Sequence, residues 1–590
     1  SPTAVSGGYG YDMLGLGGYG DIVVSSPIAF SGDIYKYGSG KLTFSGDNTY
    51  SGYTYVYEGT LNIQHANALG GTANGTYVWG GTIEVQGGIS TAAEPVELYG
   101  SCCGASWRNV SGDNTFTGPI TAYYYAWIDS DSGTLTLNSA TAISGGDSYD
   151  YLVFGGTGNI VVSSPIAFSG SIIKDGSGRL TLSGDNTYSG YTDIYDGTLR
   201  IQHANALGST SSETYVWSGT LEIEGGITTA AEPLVLYGCS GTSWRNVSGD
   251  NTFSGAVTVY SDARIDSDSG TLTLDSATAL SGGYGYETLT FGGYGDIVVS
   301  SPIEFSGNIV KDGYGQLTLS GSNTYTGDTT VSAGTLKLGA SGVIPDGSGY
   351  GNVTVNGTLD LNGHSETING LSGSGNIDNI DGPACTLTVG GDDATSTFGG
   401  IIQDTSGMVA LMKTGAGTLT LGGSNAYRGE TRIAAGTLAL GNASALQNST
   451  LDMNAADAGS IDFSTYDATL GGLKGSRNVD MGGNTISIGS NNLYTTYGGV
   501  LSNGALIKVG TGTLWLTGAN TYSGGTTVYA GTLRGTVPGS HPDPYVSAAA
   551  SVNEGSELTA NFYWNDSWYV AQYWTVNWGD GSPVETVPVG

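Results

Sequence analysis

Residues 38–63 read GSGKLTFSGDNTYSGYTYVYEGTLNI, and the pattern returns at 176–201, 313–338, 415–440 and 510–535 of a chain of 590 residues. Each copy has an Asn at a fixed place: Asn48, Asn186, Asn323, Asn425 and Asn520. The Gly of a Gly-Thr-Leu triplet follows at one constant distance, as Gly59, Gly197, Gly334, Gly436 and Gly531. The leading and closing leucines keep a second constant distance: Leu42 and Leu61, Leu180 and Leu199, Leu317 and Leu336, Leu419 and Leu438, Leu514 and Leu533. Within a copy, L-T-L, T-x-V and G-T-L alternate apolar and polar residues and favour β-branched ones, which is the pattern of short strands. Gly, Asn, Asp and Ser fall between them, as turns require. Two or three short strands per unit make one turn of a coil. Stacked coils set each strand about 4.8 Å from its copy in the next, so that the leucines pile into a continuous core.

A longer repeat encloses the short one. Gly17 to Gly70 returns as Gly155 to Gly208 and again from Gly292, so the starts advance by 155 − 17 = 138 and then 292 − 155 = 137. Cys102, Trp107 and Arg108 return one such step later as Cys239, Trp244 and Arg245. A variant unit carries Asn114 and Asn251 and closes, at a wider spacing, with Gly133 and Gly270. Composition agrees with a turn-rich β-protein. Gly supplies 102 of the 590 residues, without the strict third-place period of collagen. With 17 Lys+Arg against 51 Asp+Glu the net charge is 17 − 51 = −34, which denies the chain the basic face a nucleic-acid partner needs. No run of about 18 apolar residues is present, so the chain has no transmembrane helix segment.

The pattern G-x-G-x-L-T-L-x-G-x-N-T-Y-x-G-x-T-x-V-x-x-G-T-L resembles the autotransporter passenger-associated β-strand repeat of bacterial surface proteins. The resemblance implies a right-handed parallel β-helix over residues 1–536, exported and displayed outside a bacterial cell, and it implies no activity. An autotransporter ends in a membrane β-barrel, and this chain does not show one. Residues 537–545 read as a Pro-rich linker. Residues 546–590 hold Trp564, Trp568, Trp574 and Trp578. Their VNEGSELT and VNWGDGSPVE stretches resemble the first strands of a polycystic-kidney-disease-type immunoglobulin-like domain, which implies a partial β-sandwich. The fold class expected is therefore all-β, a parallel solenoid followed by a partial sandwich. Ala4–Tyr11 matches Ala279–Tyr286, so the sequence starts mid-unit. The expectation is a segment of a longer protein, or a product whose ends neighbouring copies complete, which would give a head-to-tail fibre.

Residues that could carry chemistry are few and scattered. Cys102 and Cys239 lie too far apart along the coils to pair; Cys102 and Cys103 read either as a vicinal disulfide or, with Cys239 and Cys385, as small corner residues. His65 and His203 occupy one repeat position and read as turn residues; His364 and His541 are isolated. Asp129, Asp131, Asp266 and Asp268 form two D-S-D-S-G turns, read as solvated turns in preference to acid clusters of a lyase or hydrolase. Gly7–Leu14 matches one calcium-binding nonapeptide coil, G-G-x-G-x-D-x-L, but stands alone, with Glu287 and Ser148 breaking the pattern in its counterparts. Calcium is thus the one ion the sequence suggests, and no catalytic, cofactor-binding or metal residue is assigned. The repeated Asn is expected to stack its amide in a ladder. The aromatic that follows it (Tyr50, Tyr188, Tyr325, Tyr427, Tyr522) is expected to pack a corner in preference to binding sugar rings.

These readings place the chain outside a bacterial cell as a structural fibre or surface protein that is not an enzyme. Its expected partners are further copies of itself and surface glycans, with no nucleic acid. A glycan-binding adhesin and a polysaccharide lyase or hydrolase on the same scaffold are the alternatives.

Overall fold

Leu42, Leu61 and Ile83 lie one above another in adjacent parallel strands, and all three are fully buried. That column is the sequence period made physical: each L-T-L or G-T-L strand places its apolar residues over those of the strand one coil before. Each such side chain gains roughly 1.5–3 kcal/mol from leaving water, and each does so only because its neighbours are in place.

The structure is a computed structural model. It describes residues 3–7, 12–100, 104–238, 241–282 and 287–535. Beyond these it gives the backbone of four short strands, Tyr545–Ser547, Asn561–Tyr563, Tyr573–Val576 and Glu585–Pro588. Among the described residues there is no helix. The strand pairs up to Gly535 are parallel, whereas those formed by the last four strands are antiparallel. The chain is thus an all-β parallel solenoid. The Pro-rich linker, apart from Tyr545, and the body of the immunoglobulin-like segment lie outside the described residues, as do Cys102, Cys103, Cys239 and His541. The chain divides into two compact units, Ser1–Asp360 and Leu361–Gly590.

In the first unit one sheet runs through 14 strands from Ile22–Val24 to Ile303–Glu304. At about 4.8 Å per strand it extends for about 60 Å. Its order exposes a rule that the long repeat obeys. Starting at Lys41–Phe44, the sheet passes through Thr60–Ile63, Thr82–Gln86, Trp107–Ser111, Tyr125–Ser130 and Tyr151–Gly156 to Ser171–Lys174, six coils on. Ser171–Lys174 is not the second copy of Lys41–Phe44. That copy, Arg179–Leu182, lies in the neighbouring sheet, over Asn114–Phe116, Thr134–Leu137 and Asn159–Val162. The third copy, Gln316–Leu319, has moved on again, over Asn251–Phe253, Thr271–Leu274 and Asp296–Val299. A coil has three faces, and one long repeat makes six and one-third coils. Every copy is therefore turned by one face relative to the last.

In the second unit one sheet stacks Glu366–Ile368, Cys385–Val389, Val409–Lys413, Thr431–Ile433, Leu446–Met453 and Thr469–Gly475. It then forks into two columns that end at Thr526–Val528 and Thr532–Gly535 before the antiparallel strands. A smaller sheet holds Ser396–Phe398, Thr418–Leu421, Thr437–Leu440 and Ser460–Asp462. Cys385 is buried.

Candidate functional site

The repeated Asn proves to be a clip between coils. Asn48 Oδ1 accepts the N–H of Ile28 from the coil before (2.9 Å), and its Nδ2 donates to the carbonyl of Ala68 in the coil after (2.6 Å). Asn186, Asn323 and Asn425 repeat both bonds, and Asn520 accepts the N–H of Leu501. The amide therefore bonds backbone above and below it, and the expected amide-on-amide ladder is replaced by this arrangement. The aromatic two residues on is buried in all five copies. Its hydroxyl meets the Thr four residues later at 2.5–2.6 Å, as in Tyr50–Thr54 and Tyr188–Thr192. Those rings pack corners, as expected, and offer no surface to a sugar.

A third clamp is one that reading the sequence misses. Lys36, Lys174, Lys311, Lys413 and Lys508 are buried. Each ammonium donates to three backbone carbonyls: those of the next two residues and that of a residue 22 further on, Glu58 for Lys36. Burial lowers these amines, Lys174 and Lys311 to about 8, so they stay charged at neutral pH. The Gly of Gly-Thr-Leu sits against them with φ between 63° and 70°. A Cβ on Gly197 would lie 2.4 Å from the carbonyl oxygen of Gly176 and 2.8 Å from Lys174 Nζ. A signal for this clamp does exist: five of the eight lysines stand six residues before the leading Leu.

Three of the four D-S-D-S-G carboxylates are held by arginines. Arg108 pairs with Asp131 at 2.7 Å, Arg245 with Asp268 at 2.6 Å, and Arg264 with Asp266 at 2.8 Å. Asp129 is raised by burial and by Asp131. Buried Glu84 and Glu222 collect the neighbouring cations, Lys41 at 2.6 Å and Arg200 at 2.7 Å. The two turns lie six and one-third coils apart on different faces and do not converge. His65 and His203 accept the backbone N–H two residues on, a turn role. Among the described residues no group of three or more His, Cys, Asp and Glu is placed to hold a metal. Of the calcium-like stretch, residues 8–11 lie outside the described residues. A shallow groove of about 390 Å³ in the second unit is lined by Met408, Arg428, Asn448, Asn491 and Leu493, with Arg428 tied to Asp404.

Ordered aromatic stripes on the surface are a feature that the repeats alone do not single out. On strands Asp33–Tyr37, Thr54–Val56, Thr76–Val78, Val96–Tyr99 and Ile120–Tyr123 the inward residues alternate with outward aromatics. Tyr35, Tyr55 and Tyr77 stack at 4.9 and 5.3 Å; Tyr37 stacks on Tyr57 at 5.5 Å; Trp79, Tyr99 and Tyr123 stack at 4.1 and 4.8 Å. The second long repeat builds a shorter stripe on Thr192–Ile194, Thr214–Val216, Leu234–Leu236 and Val257–Val259. There Trp217, Tyr237 and Tyr260 stack at 4.0 and 5.1 Å. The two stripes face different ways because the repeat turns by one face. Acidic side chains line both: Asp33, Glu58 and Glu97 in the first; Asp175, Asp193, Asp196 and Glu213 in the second. Burial and neighbouring charge raise the phenols of Tyr35, Tyr55, Tyr77, Tyr99 and Tyr123, Tyr55 to about 12, so these rings remain protonated.

Comparison with known proteins accords with this repeat architecture. The family described as Passenger-associated-transport-repeat matches residues 34–63, 172–201, 309–338, 411–440 and 506–534. Each match includes the buried Lys, the Asn clip, the Tyr–Thr pair and the Gly. The chain is also similar to the Adhesin BmaC autotransporter of Brucella suis biovar 1 (strain 1330), 28% identical over 590 residues. That similarity covers 85% of this chain and 16% of the relative, so the chain spans less than a fifth of the protein it matches. No solved structure matches.

Proposed function

We propose that this chain is part of an extracellular, cell-surface bacterial protein, a passenger that works by adhesion and not by catalysis. The observation that carries this reading is the coincidence of five repeat matches with five copies of one clamp. Asn clip, buried Lys and Tyr–Thr pair each bond within or between coils, and the outer faces are left to carry side chains for partners. The likeness to an adhesin autotransporter supports the same reading. We take the winding as right-handed, as the passenger repeats imply, and take the stacked coils to be the means of any association into filaments.

The test is display. Antibody raised against the purified chain is applied to intact bacteria that make the protein, before and after protease treatment. The expected result is labelling of intact cells that protease reduces. Signal that appears only after lysis would overturn the proposal. Sedimentation velocity of the purified chain tests self-association: concentration-dependent polymers support filaments, and a single species across concentrations rejects them.

Glycan contact through exposed aromatics is the weaker version of adhesion here. A sugar ring stacks on an aromatic face, and in these stripes the faces lie against neighbouring rings, with interplanar angles between 5° and 19° along the first stripe's stacks. What faces outward is ring edges, phenol hydroxyls and carboxylates.

A further inference from the structure

The two stripes segregate charge. On the strands of the first, the one cation is Lys36, which is buried under the stripe and committed to backbone carbonyls. The strands of the second carry no cation, and Lys174, on the neighbouring strand Ser171–Lys174, is likewise committed to backbone carbonyls. The other cations nearby, Lys41, Arg108, Arg179, Arg200 and Arg245, lie on the adjoining face and are paired with Glu84, Glu222 and the D-S-D-S-G turns. No ion pair among the described residues involves Asp33, Glu58, Glu97, Asp175, Asp196 or Glu213. Both stripes thus combine carboxylates that make no salt bridge with flat, half-exposed rings, and the nearest cations to Glu58, Asp175 and Asp196 are the buried ammoniums of Lys36 and Lys174. Tyr99 donates to Glu97 at 2.8 Å, Tyr215 donates to Glu213, and Trp217 donates to Asp193 at 2.9 Å, which orients acceptor oxygens at the edge of the ring stacks.

We propose that these acidic aromatic stripes are docking surfaces for an extended, arginine- and lysine-rich protein segment. The inference rests on the adhesive reading above and names the chemistry of its partner. A guanidinium presents five donors in a fixed fork, suited to phenol oxygens that recur at the coil spacing of about 4.8 Å with carboxylates interspersed among them. The aliphatic stem of the same side chain lies along the exposed ring edges. An extended segment laid along the stripe meets a new row at every coil. Because the long repeat turns by one face, the two stripes offer the same chemistry in two directions and bind independently.

A chain of charge −34 attracts any polycation, so the test must separate the stripe from the bulk field. The probe is a synthetic 12-residue peptide alternating Arg and Ser, with an alternating Glu and Ser peptide and a neutral cello-oligosaccharide beside it. Binding to the full chain is measured calorimetrically at 150 mM salt. One variant carries Glu58→Gln, Glu97→Gln, Asp196→Asn and Glu213→Gln. A second removes the same charge elsewhere, with Asp275→Asn, Asp346→Asn, Asp381→Asn and Asp392→Asn. The expected result is binding of the Arg peptide alone, at two per chain, weakened by about tenfold or more in the stripe variant and by no more than about twofold in the other. Equal weakening in both variants would overturn the proposal, as would preference for the oligosaccharide. Either failure leaves the display experiment untouched, so the two readings fail separately.

Discussion

At the scale of single residues the fold is held by polar groups that face inward. A buried ammonium with three carbonyl partners is stable where each partner is in place and costly where one is removed. Lys174→Met leaves three carbonyls without a donor and is expected to cost about 2–4 kcal/mol, read as a lowered urea midpoint. A midpoint unchanged within error would show that the carbonyls find water. Asn186→Ala removes two buried bonds that join three coils and is expected to cost roughly 1–3 kcal/mol by the same measurement, with Asn186→Asp losing the donor half. These clamps differ in how far the sequence reveals them. Asn186 is visible as a fixed residue, yet its role as a clip to backbone on both sides is not, because a sequence shows that side chains recur and not which carbonyls they reach. Lys174 recurs at an equally fixed place, but lysine is ordinarily a surface residue, so its recurrence alone does not announce burial.

At the scale of the element, the turns that lead into Val96–Tyr99 and Leu234–Leu236 each place a carboxyl inside the wall. Glu94 and Glu232 are buried, and each accepts a hydroxyl, from Thr76 at 2.7 Å and Thr214 at 2.5 Å. Burial raises them from an ordinary 4.5 to about 8 and about 9. The folded chain therefore holds these protons more tightly than the unfolded chain. Their contribution to stability is full below about pH 4.5 and is lost as pH rises towards 8–9. Glu232→Gln keeps the shape without the titration. Its melting temperature is expected to gain on that of the parent between pH 5 and pH 9; a gap that stays constant over that range would refute the protonated carboxyl. The strands themselves are legible. Alternation in L-T-L and T-Y-V decides which residues face in, and the same alternation carries the outward tyrosines of D-I-Y-K-Y and Y-T-Y-V-Y. Their stacking becomes apparent only when register places Tyr55 between Tyr35 and Tyr77.

At the scale of the whole molecule the long repeat is a device for turning. Its period is plain from Gly17, Gly155 and Gly292, but the fraction of a coil left over depends on how many residues each coil takes, which varies with its turns. Removing one whole repeat should be tolerated, because Gly155 and Gly292 are equivalent. A chain in which Phe154 is joined to Gly292 is expected to keep a β-rich circular dichroism spectrum and a cooperative melt, and loss of either would contradict the equivalence. The most direct test of the account is the seam where one face hands over to the next. The structure pairs Thr136 with Val161 across adjacent coils, a pairing that exists only if the second repeat is turned by one face. Without that turn Val161 would sit over the column that holds Asp129. Nitroxide labels are placed, in a chain whose native cysteines are replaced by serine, either at Thr136 and Val161 or at Asp129 and Val161. The account predicts strong spin–spin broadening for the Thr136–Val161 pair and much weaker coupling for the Asp129–Val161 pair; the reverse order, or two spectra that are sums of single labels, would contradict it.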